Sequence, residues 1–405
     1  MFPIVIILAE ELLTFPPFYL ASYHPLTQAV LTYGRQQTIL KEPTISMFQA
    51  SISLMTKALL LILVLSLSQF VTAQEKPLTQ AEYVKMLYGL QKDPAGKSEI
   101  VEALRKRGID FTVTDGIRGL TRSKSANDEE LKRSLDEAER RRQNPEATKP
   151  PNEKEAADVL EKTRQNTLAF VADVPDFVVK QLITRSEAYA GTGNWRPYDN
   201  LIIAVSYSTE KGELYKVLAK NGAPVNAETS NSYNGLDGAT SGGEFVEDLQ
   251  KLFKAESKTQ FSVLTTDVLR GRKALVYDYE IALANNKDGG VGLKGPNPQS
   301  SPSGEKGKIW IDRDTFRVLR IEYKLTDIAP DFPVKSVTKY IDYDIVEISG
   351  EKYLLPTLSD FRGVVQSGDK KFESRNLIRF KNYQKYGTDV IVLDDDTKPA
   401  PEEKP

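Results

Sequence analysis

From Phe177 onward apolar residues recur at every second position, in segments closed by Gly, Asn, Asp or Pro, the signature of half-buried strands. Phe177 to Tyr189 is the first such segment. Leu201, Ile203, Val205 and Tyr207 alternate in the next, and Glu210-Lys211-Gly212-Glu213 turns the chain into Leu214 to Leu218. The period then changes to that of a helix: Phe245, Leu249, Leu252 and Phe253 fall at i, i+4, i+7 and i+8 within 243–256, and Ser241 with Glu244 has capping-box spacing. Alternation resumes over Phe261 to Val268 and Ala274 to Ala284, where Leu275, Tyr277, Tyr279, Ile281 and Leu283 share a face. After a Gly-, Pro-, Ser- and Asn-rich excursion at 285–306, read as flexible, five more segments follow: Lys308 to Asp312, Arg317 to Thr326, Val334 to Ile348, Tyr353 to Val365 and Phe372 to Phe380. Consecutive strands with short turns predict an antiparallel meander, not a parallel sheet. The predicted fold class is α+β: a curved antiparallel β-sheet, an incomplete barrel, wrapped around the inserted helix and preceded by a small helical module.

That module is read over 74–126. Thr79 and Glu82 form a capping box ahead of Tyr83, Leu87 and Leu90, while Ile100, Val101 and Leu104 mark a second helix that stops at Gly108. Residues 127–152 read as a charged helix and a Pro-rich linker. The helix has only Leu131, Leu135 and Ala138 as apolar positions, with Glu129–Arg133, Asp136–Arg140 and Glu137–Arg141 at i, i+4. So thin a stripe predicts a solvated spacer. The half-barrel domain is assigned to 153–393, and 394–405, rich in Asp, Pro, Lys and Glu, to a disordered tail.

The N-terminal region carries a different signal. Met55-Thr56-Lys57, the aliphatic run Ala58 to Leu67, and Val71-Thr72-Ala73 have the layout of a secretory signal peptide, 55–73, with cleavage after Ala73. The run is shorter than the roughly 18–20 residues that span a bilayer, so no permanent membrane anchor is expected after cleavage. Residues 1–54 lie upstream of a complete signal and read as a mis-assigned extension, with Met47 or Met55 as the true start. The exported chain, periplasmic or extracellular, would contain neither Cys nor His, since His24 precedes the cut. A Ser-His-Asp triad, a thiol nucleophile, a disulfide and an imidazole–thiolate zinc site are thereby excluded. Lys plus Arg number 54 against 56 Asp plus Glu, so no basic field is present for nucleic acid.

Carboxylates remain as candidate chemistry. Asp312 and Asp314 flank a turn, with Glu322 on the returning strand, in the manner of a glycosidase pair or calcium site; Asp is equally an ordinary turn residue. Gly289-Gly290-Val291-Gly292 lacks the following helix that a phosphate loop needs. Trp195 reads as a plug for the end of the sheet, the alternative being a rim contact for a ligand. No cofactor, metal site or catalytic residue is assigned, and an enzyme is not expected.

The hairpin Lys308-Ile309-Trp310-Ile311-Asp312-Arg313-Asp314-Thr315, running into Val318-Leu319-Arg320-Ile321-Glu322, together with the long antiparallel series and inserted helix, resembles the periplasmic lipoprotein-carrier superfamily of LolA/LolB type over roughly 155–390. That resemblance implies a half-barrel whose apolar interior receives acyl chains. The expected function is a non-catalytic, exported binding protein that holds a lipid, an acylated protein or another amphipathic ligand. The groove would be lined by Leu201, Ile203, Val205, Phe245, Leu249, Phe253, Tyr277, Tyr279 and Ile309. The alternative is an envelope interaction or sensing scaffold without a cavity, its partner an envelope protein.

Overall fold

Eleven strands form one sheet in the order β5-β4-β3-β2-β14-β13-β12-β11-β10-β7-β6, every neighbouring pair antiparallel. In this computed structural model residues 5–6, 76–225, 233–287, 289–294 and 298–385 are described. The expectations for the signal peptide, its cleavage and the 394–405 tail lie outside them. After β1 (Val5–Ile6) come five helices: α1 (Gln80–Gly89), α2 (Lys97–Arg107), α3 (Asp115–Lys124), α4 (Glu129–Gln143) and α5 (Glu153–Asp173). Strands β2 (Phe177–Tyr189), β3 (Arg196–Ser208), β4 (Gly212–Lys220) and β5 (Ala223–Pro224) precede α6 (Glu247–Phe253). The chain continues as β6 (Gln260–Leu269), β7 (Arg272–Ile281), β8 (Gly290–Leu293), β9 (Gln299–Pro302), β10 (Gly304–Asp312) and β11 (Val318–Thr326). It ends in β12 (Val334–Ile348), β13 (Glu351–Ser367) and β14 (Lys370–Lys385).

The meander turns back on itself. Phe372 of β14 lies opposite Tyr189 of β2 and Lys385 opposite Phe177, so the last long strand pairs with the first. β5 and β6 remain as edges, and the sheet does not close into a barrel. Bulges at Trp310/Ile311, Asp342/Tyr343 and Arg185/Ser186 add local bend to the ordinary strand twist.

Two helices cover the concave face, where the sequence pattern predicted one. α5 buries Ala156, Val159, Thr163, Thr167 and Val171 along a single stripe. Its two threonines hid that stripe from a hydrophobicity pattern, yet Thr163 satisfies its hydroxyl on the Val159 carbonyl at 2.7 Å and packs as a methyl-bearing side chain. α6 is shorter than the expected 243–256 and starts at Glu247. Its N-cap, Val246, makes no side-chain cap, because Glu244 turns inward and meets Ser241 through side chains at 3.1 Å.

The 285–306 excursion is likewise ordered where it is described. β8 and β9 pair as a small hairpin, β1 adds to β8, and Val291 and Leu293 are buried with Phe332, Val334, Val337 and Phe361.

The helical module has its own core, centred on Leu78, Tyr83, Leu87, Leu104, Leu131 and Leu135. The Thr79–Glu82 capping box is present, and Gly108 ends α2 at φ 69°. Contrary to the spacer expectation, α4 is not solvated: Leu131, Ser134, Leu135, Glu137, Ala138 and Glu139 are all buried. Each anticipated i, i+4 arginine reaches outside its helix instead, Arg133 to Glu322, Arg140 to Asp267 and Arg141 to the Leu104 carbonyl. An arginine is long enough to leave its own helix, and a carboxylate buried on the sheet gains more from it than a solvated helical neighbour does.

Truncating the core should separate sharply from truncating the surface. Phe245→Ala is expected to cost about 3–5 kcal/mol in urea unfolding, whereas Leu214→Ala, at a side chain 52% exposed, should change stability by no more than about 0.5 kcal/mol.

Candidate functional site

All nine expected groove residues point to the concave side, and each is at most 3% exposed. They do not line one space. Leu249, Phe253, Tyr277, Tyr279 and Ile309 belong to one apolar cluster, and Leu201, Ile203, Val205 and Phe245 to a second. Phe245 meets Phe177 and Phe380 edge-on, with ring centroids 5.3 Å apart in both pairs, while Phe253 stacks on Phe261 at 5.7 Å. Tyr277 donates to the Ala156 carbonyl at 2.8 Å and Tyr279 to Glu305 at 2.7 Å. Side chains that meet each other this way are core, and the expected lining is occupied by the protein itself.

The segment that carries these apolar residues inward also carries charge. Lys339 of β12, fully buried, bridges Glu244 at 3.1 Å and Asp248 at 3.0 Å and donates to the Gly242 carbonyl at 2.6 Å. Lys251 links Asp248 at 3.2 Å to Glu305 at 2.6 Å. Burial alone would push the Lys339 ammonium down, but Asp248 and Glu244 outweigh it and hold it above its ordinary value. Asp248 shows the converse: burial opposes its charge, and Lys339 and Lys251 bring it below the usual carboxylate range. Such a network adds little net stability over apolar packing but fixes how α6 sits on β12. Nothing in the hydrophobic periodicity signalled it. The only available sign was an interleaving of charges, Glu244, Asp248 and Lys251, among the apolar positions of one short segment.

Trp310, Arg320 and Glu322, from the hairpin that carried the family resemblance, act on the opposite, outer face. Trp310 is fully buried there and donates through Nε1 to Asp267 at 3.1 Å, while Arg140 of α4 grips the same Asp267 at 2.8 and 3.0 Å. Arg320 forms a two-pronged bond to Asp342, at 2.8 and 3.1 Å, under the rings of Trp310 and Tyr340. Glu322 receives Arg133 at 2.8 Å and lies 3.9 Å from Arg105, which also meets Glu130 and the buried Glu137. These residues join the helical module to the sheet. Burial would raise the Glu322 carboxyl, but Arg133 and Arg105 together hold it at about 2.

Asp312 closes its turn, accepting from the Asp314 and Thr315 amides at 2.9 and 2.7 Å and from Arg272 at 2.5 Å. Its oxygens are thus committed to structure. Among the described residues no group of three or more His, Cys, Asp or Glu is arranged to hold a metal ion. Trp195 is not a buried plug: it is half-buried and lies 5.4 Å from the Arg362 guanidinium on the outer face.

Beside the docked module an open trough of about 620 Å³ crosses the outer face. The start of α4 (Asp128, Glu129, Arg133) forms one wall, and outward residues of the sheet, among them Lys308, Lys324 and Thr338, form the floor. Across that floor Lys306 pairs with Glu280 at 3.1 Å and Lys308 with Asp278 at 3.5 Å. Lysines and acids alternate there, and none of the nine sequence-expected residues except Tyr279 borders it.

No family model matches the sequence, and no curated protein matches it. Among solved structures the chain is similar to a LolA superfamily protein from Nitrosomonas europaea, with 13% identity over 60% of this chain and 97% of that one and a TM-score of 0.28. It is also similar to a DUF1329 family protein from Desulfovibrio piger, with 12% identity, 59% and 97% coverage and a TM-score of 0.25. The MucA/MucB complex structure from Pseudomonas aeruginosa follows at 9% identity, 55% and 94% coverage and a TM-score of 0.16. The superfamily named from the hairpin residues is represented among these neighbours. With TM-scores this low, the fold assignment rests on the strand order and register described above.

Two substitutions test the ionic assignments. Lys339→Ala leaves Glu244 and Asp248 buried without their cation and should cost about 3–5 kcal/mol in chemical unfolding. Glu322→Ala should free the helical module, read as faster proteolysis within 144–152 while the sheet stays protected. Because the Glu322 carboxyl lies below its ordinary 4.5, its contribution is complete above that pH and is lost as pH falls toward about 2. Acid should therefore speed the same cleavage in the unmodified protein.

Proposed function

We propose that this is an exported, non-catalytic binding protein that presents the trough between the helical module and the outer sheet face to a polar polypeptide partner. The observation carrying this reading is that the concave interior is filled, whereas the trough is open and lined by side chains of both signs. Paired Lys306–Glu280 and Lys308–Asp278, with Lys324 exposed beside them, suit an extended chain bearing charges of both signs. Export is supported by the signal-peptide layout at 55–73.

The competing reading is an acyl chain held in the interior, and magnitudes weigh against it. A chain of about sixteen carbons would gain about 12 kcal/mol at about 0.8 kcal/mol per buried methylene. Expelling Phe245, Leu249, Leu252 and Phe253 to admit it forfeits about 6–12 kcal/mol. The ion pairs of Lys339 would be broken as well, at about 3–5 kcal/mol more.

A photo-crosslinking amino acid placed at Lys324 or Thr338 of the exported protein in intact cells should give discrete protein adducts, and one at Leu214 should not. Reversing charge at Lys306 and Lys324 together should abolish the adducts. Lipid extracted from the purified protein should be far below one molecule per chain. Stoichiometric lipid that disappears in a folded Leu249→Asp variant, with no adducts from the trough, would overturn the proposal in favour of the acyl carrier.

A further inference from the structure

A carboxyl group with no cation beside it lies at the other end of the sheet, where β4, next to the edge, meets the turn leading into α6. Glu213 accepts from the Tyr215 hydroxyl and from the Gly243 amide at 3.0 Å, both through Oε2. The approach is close. A side chain at Gly242 would strike the Tyr215 hydroxyl at 2.8 Å, and Gly243 adopts a φ of +84° that favours glycine. Oε1 of Glu213 and Oε2 of Glu244 are both buried with no hydrogen-bond partner. The other oxygen of Glu244 is taken by Lys339 at 3.1 Å and by Ser241, also at 3.1 Å.

Among the described residues Glu213 has no ion pair. The groups facing it are Glu244 from the turn, Glu247 of α6, Tyr215 on its own strand with Tyr233 stacked on it, Tyr207 of β3, Tyr343 of β12 and Tyr383 of β14, with Lys339 of β12 behind Glu244. The tyrosines are all held above their ordinary value by burial and stay neutral. Glu244 has Lys339 beside it, whereas the buried Glu213 oxygen has no cation to offset a charge, and a proton relieves it.

We infer that the Glu213 carboxyl is neutral while closed over the Gly243 amide, that this contact is a clasp holding β4 to the turn before α6, and that the clasp loosens as pH rises. On release the proton goes to solvent and the two oxygens require water, which enters only if the edge of the sheet opens. Burial first, then Glu244 and Glu247, push the Glu213 carboxyl up to about 8. The closed clasp therefore binds one proton more than the open one between the ordinary carboxylate value and about 8. Opening is favoured about tenfold per pH unit across that window and levels off above it. The inference is independent of the trough, which neither Glu213, Glu244 nor Glu247 lines.

Hydrogen exchange of the purified protein, corrected for the intrinsic pH dependence of exchange, reads the clasp directly. Protection of amides in 212–217 and 241–246 should fall about tenfold per pH unit from pH 6 to 8, while amides of α1 and α2 hold steady. Glu213→Gln keeps the shape, removes the titration and should flatten that dependence. Glu247→Gln should move the levelling-off to lower pH, which keeps the test open if the first variant does not fold. Protection that is independent of pH in the unmodified protein, a slope that survives Glu213→Gln in a folded variant, or an unmoved levelling-off in Glu247→Gln overturns the inference.

Discussion

An open antiparallel sheet of eleven strands has one face too apolar to leave in water, and covering that face is the constraint on which the remaining structure depends. Closure into a barrel would cover it without help, but here β14 returns to β2 and leaves β5 and β6 as edges. The cover must therefore come from elsewhere in the chain. It comes as α5 ahead of the sheet, α6 between β5 and β6, and the β8–β9 hairpin between β7 and β10. Three separate segments fill three stretches of one concave surface, which is why its apolar residues fall into distinct clusters.

Charge does a different task on each face. Inside, Lys339 and Lys251 tie Glu244, Asp248 and Glu305 together and set the seat of a helix only seven residues long, too short to hold itself. Outside, Arg133 and Arg140 hold the module to Glu322 and Asp267 of the sheet, while Arg105 ties α2 to Glu137 of α4 within it. Orphaned atoms of Arg105, Arg133, Ser134, Glu137 and Glu322 surround that contact, which marks it as less completely satisfied than an apolar core. A module held to the sheet by ion pairs is loosened by acid.

Much of the sheet was legible because period-two alternation is a local property. Phe177–Tyr189 and Val334–Ile348 match their sequence segments end to end, and the other long strands agree to within a few residues. What could not be read is what depends on partners distant in sequence. The stripe of α5 was obscured by Thr163 and Thr167, and α4 looked solvated because its arginines have local acids at helical spacing, although their partners are Glu322 and Asp267, well over a hundred residues away. The nine expected groove residues are all buried, the six on strands at alternating positions and the other three in and just before α6. Alternation says which side a residue faces and nothing about whether that side is empty.

That last distinction decides how the function is argued. A cavity that takes in and releases an acyl chain needs walls that part at small cost, and apolar contacts alone allow that, since they are non-directional. Lys339 is the opposite kind of wall. Its two carboxylate partners lie at 3.0 and 3.1 Å, its third contact is a backbone carbonyl, and all are out of water, so displacing α6 strands charge in a poorly polarisable interior. The outer trough has no such penalty: its Lys306–Glu280 pair is about half exposed, and exchanging one set of solvated partners for another costs little. A partner that supplies its own alternating charges can therefore engage the trough without disturbing the core. The same reasoning separates β4 from the rest of the sheet, because Glu213, which fastens it to the α6 turn through the Gly243 amide, has no ion pair among the described residues, so its buried charge is relieved by a proton and not by a lysine.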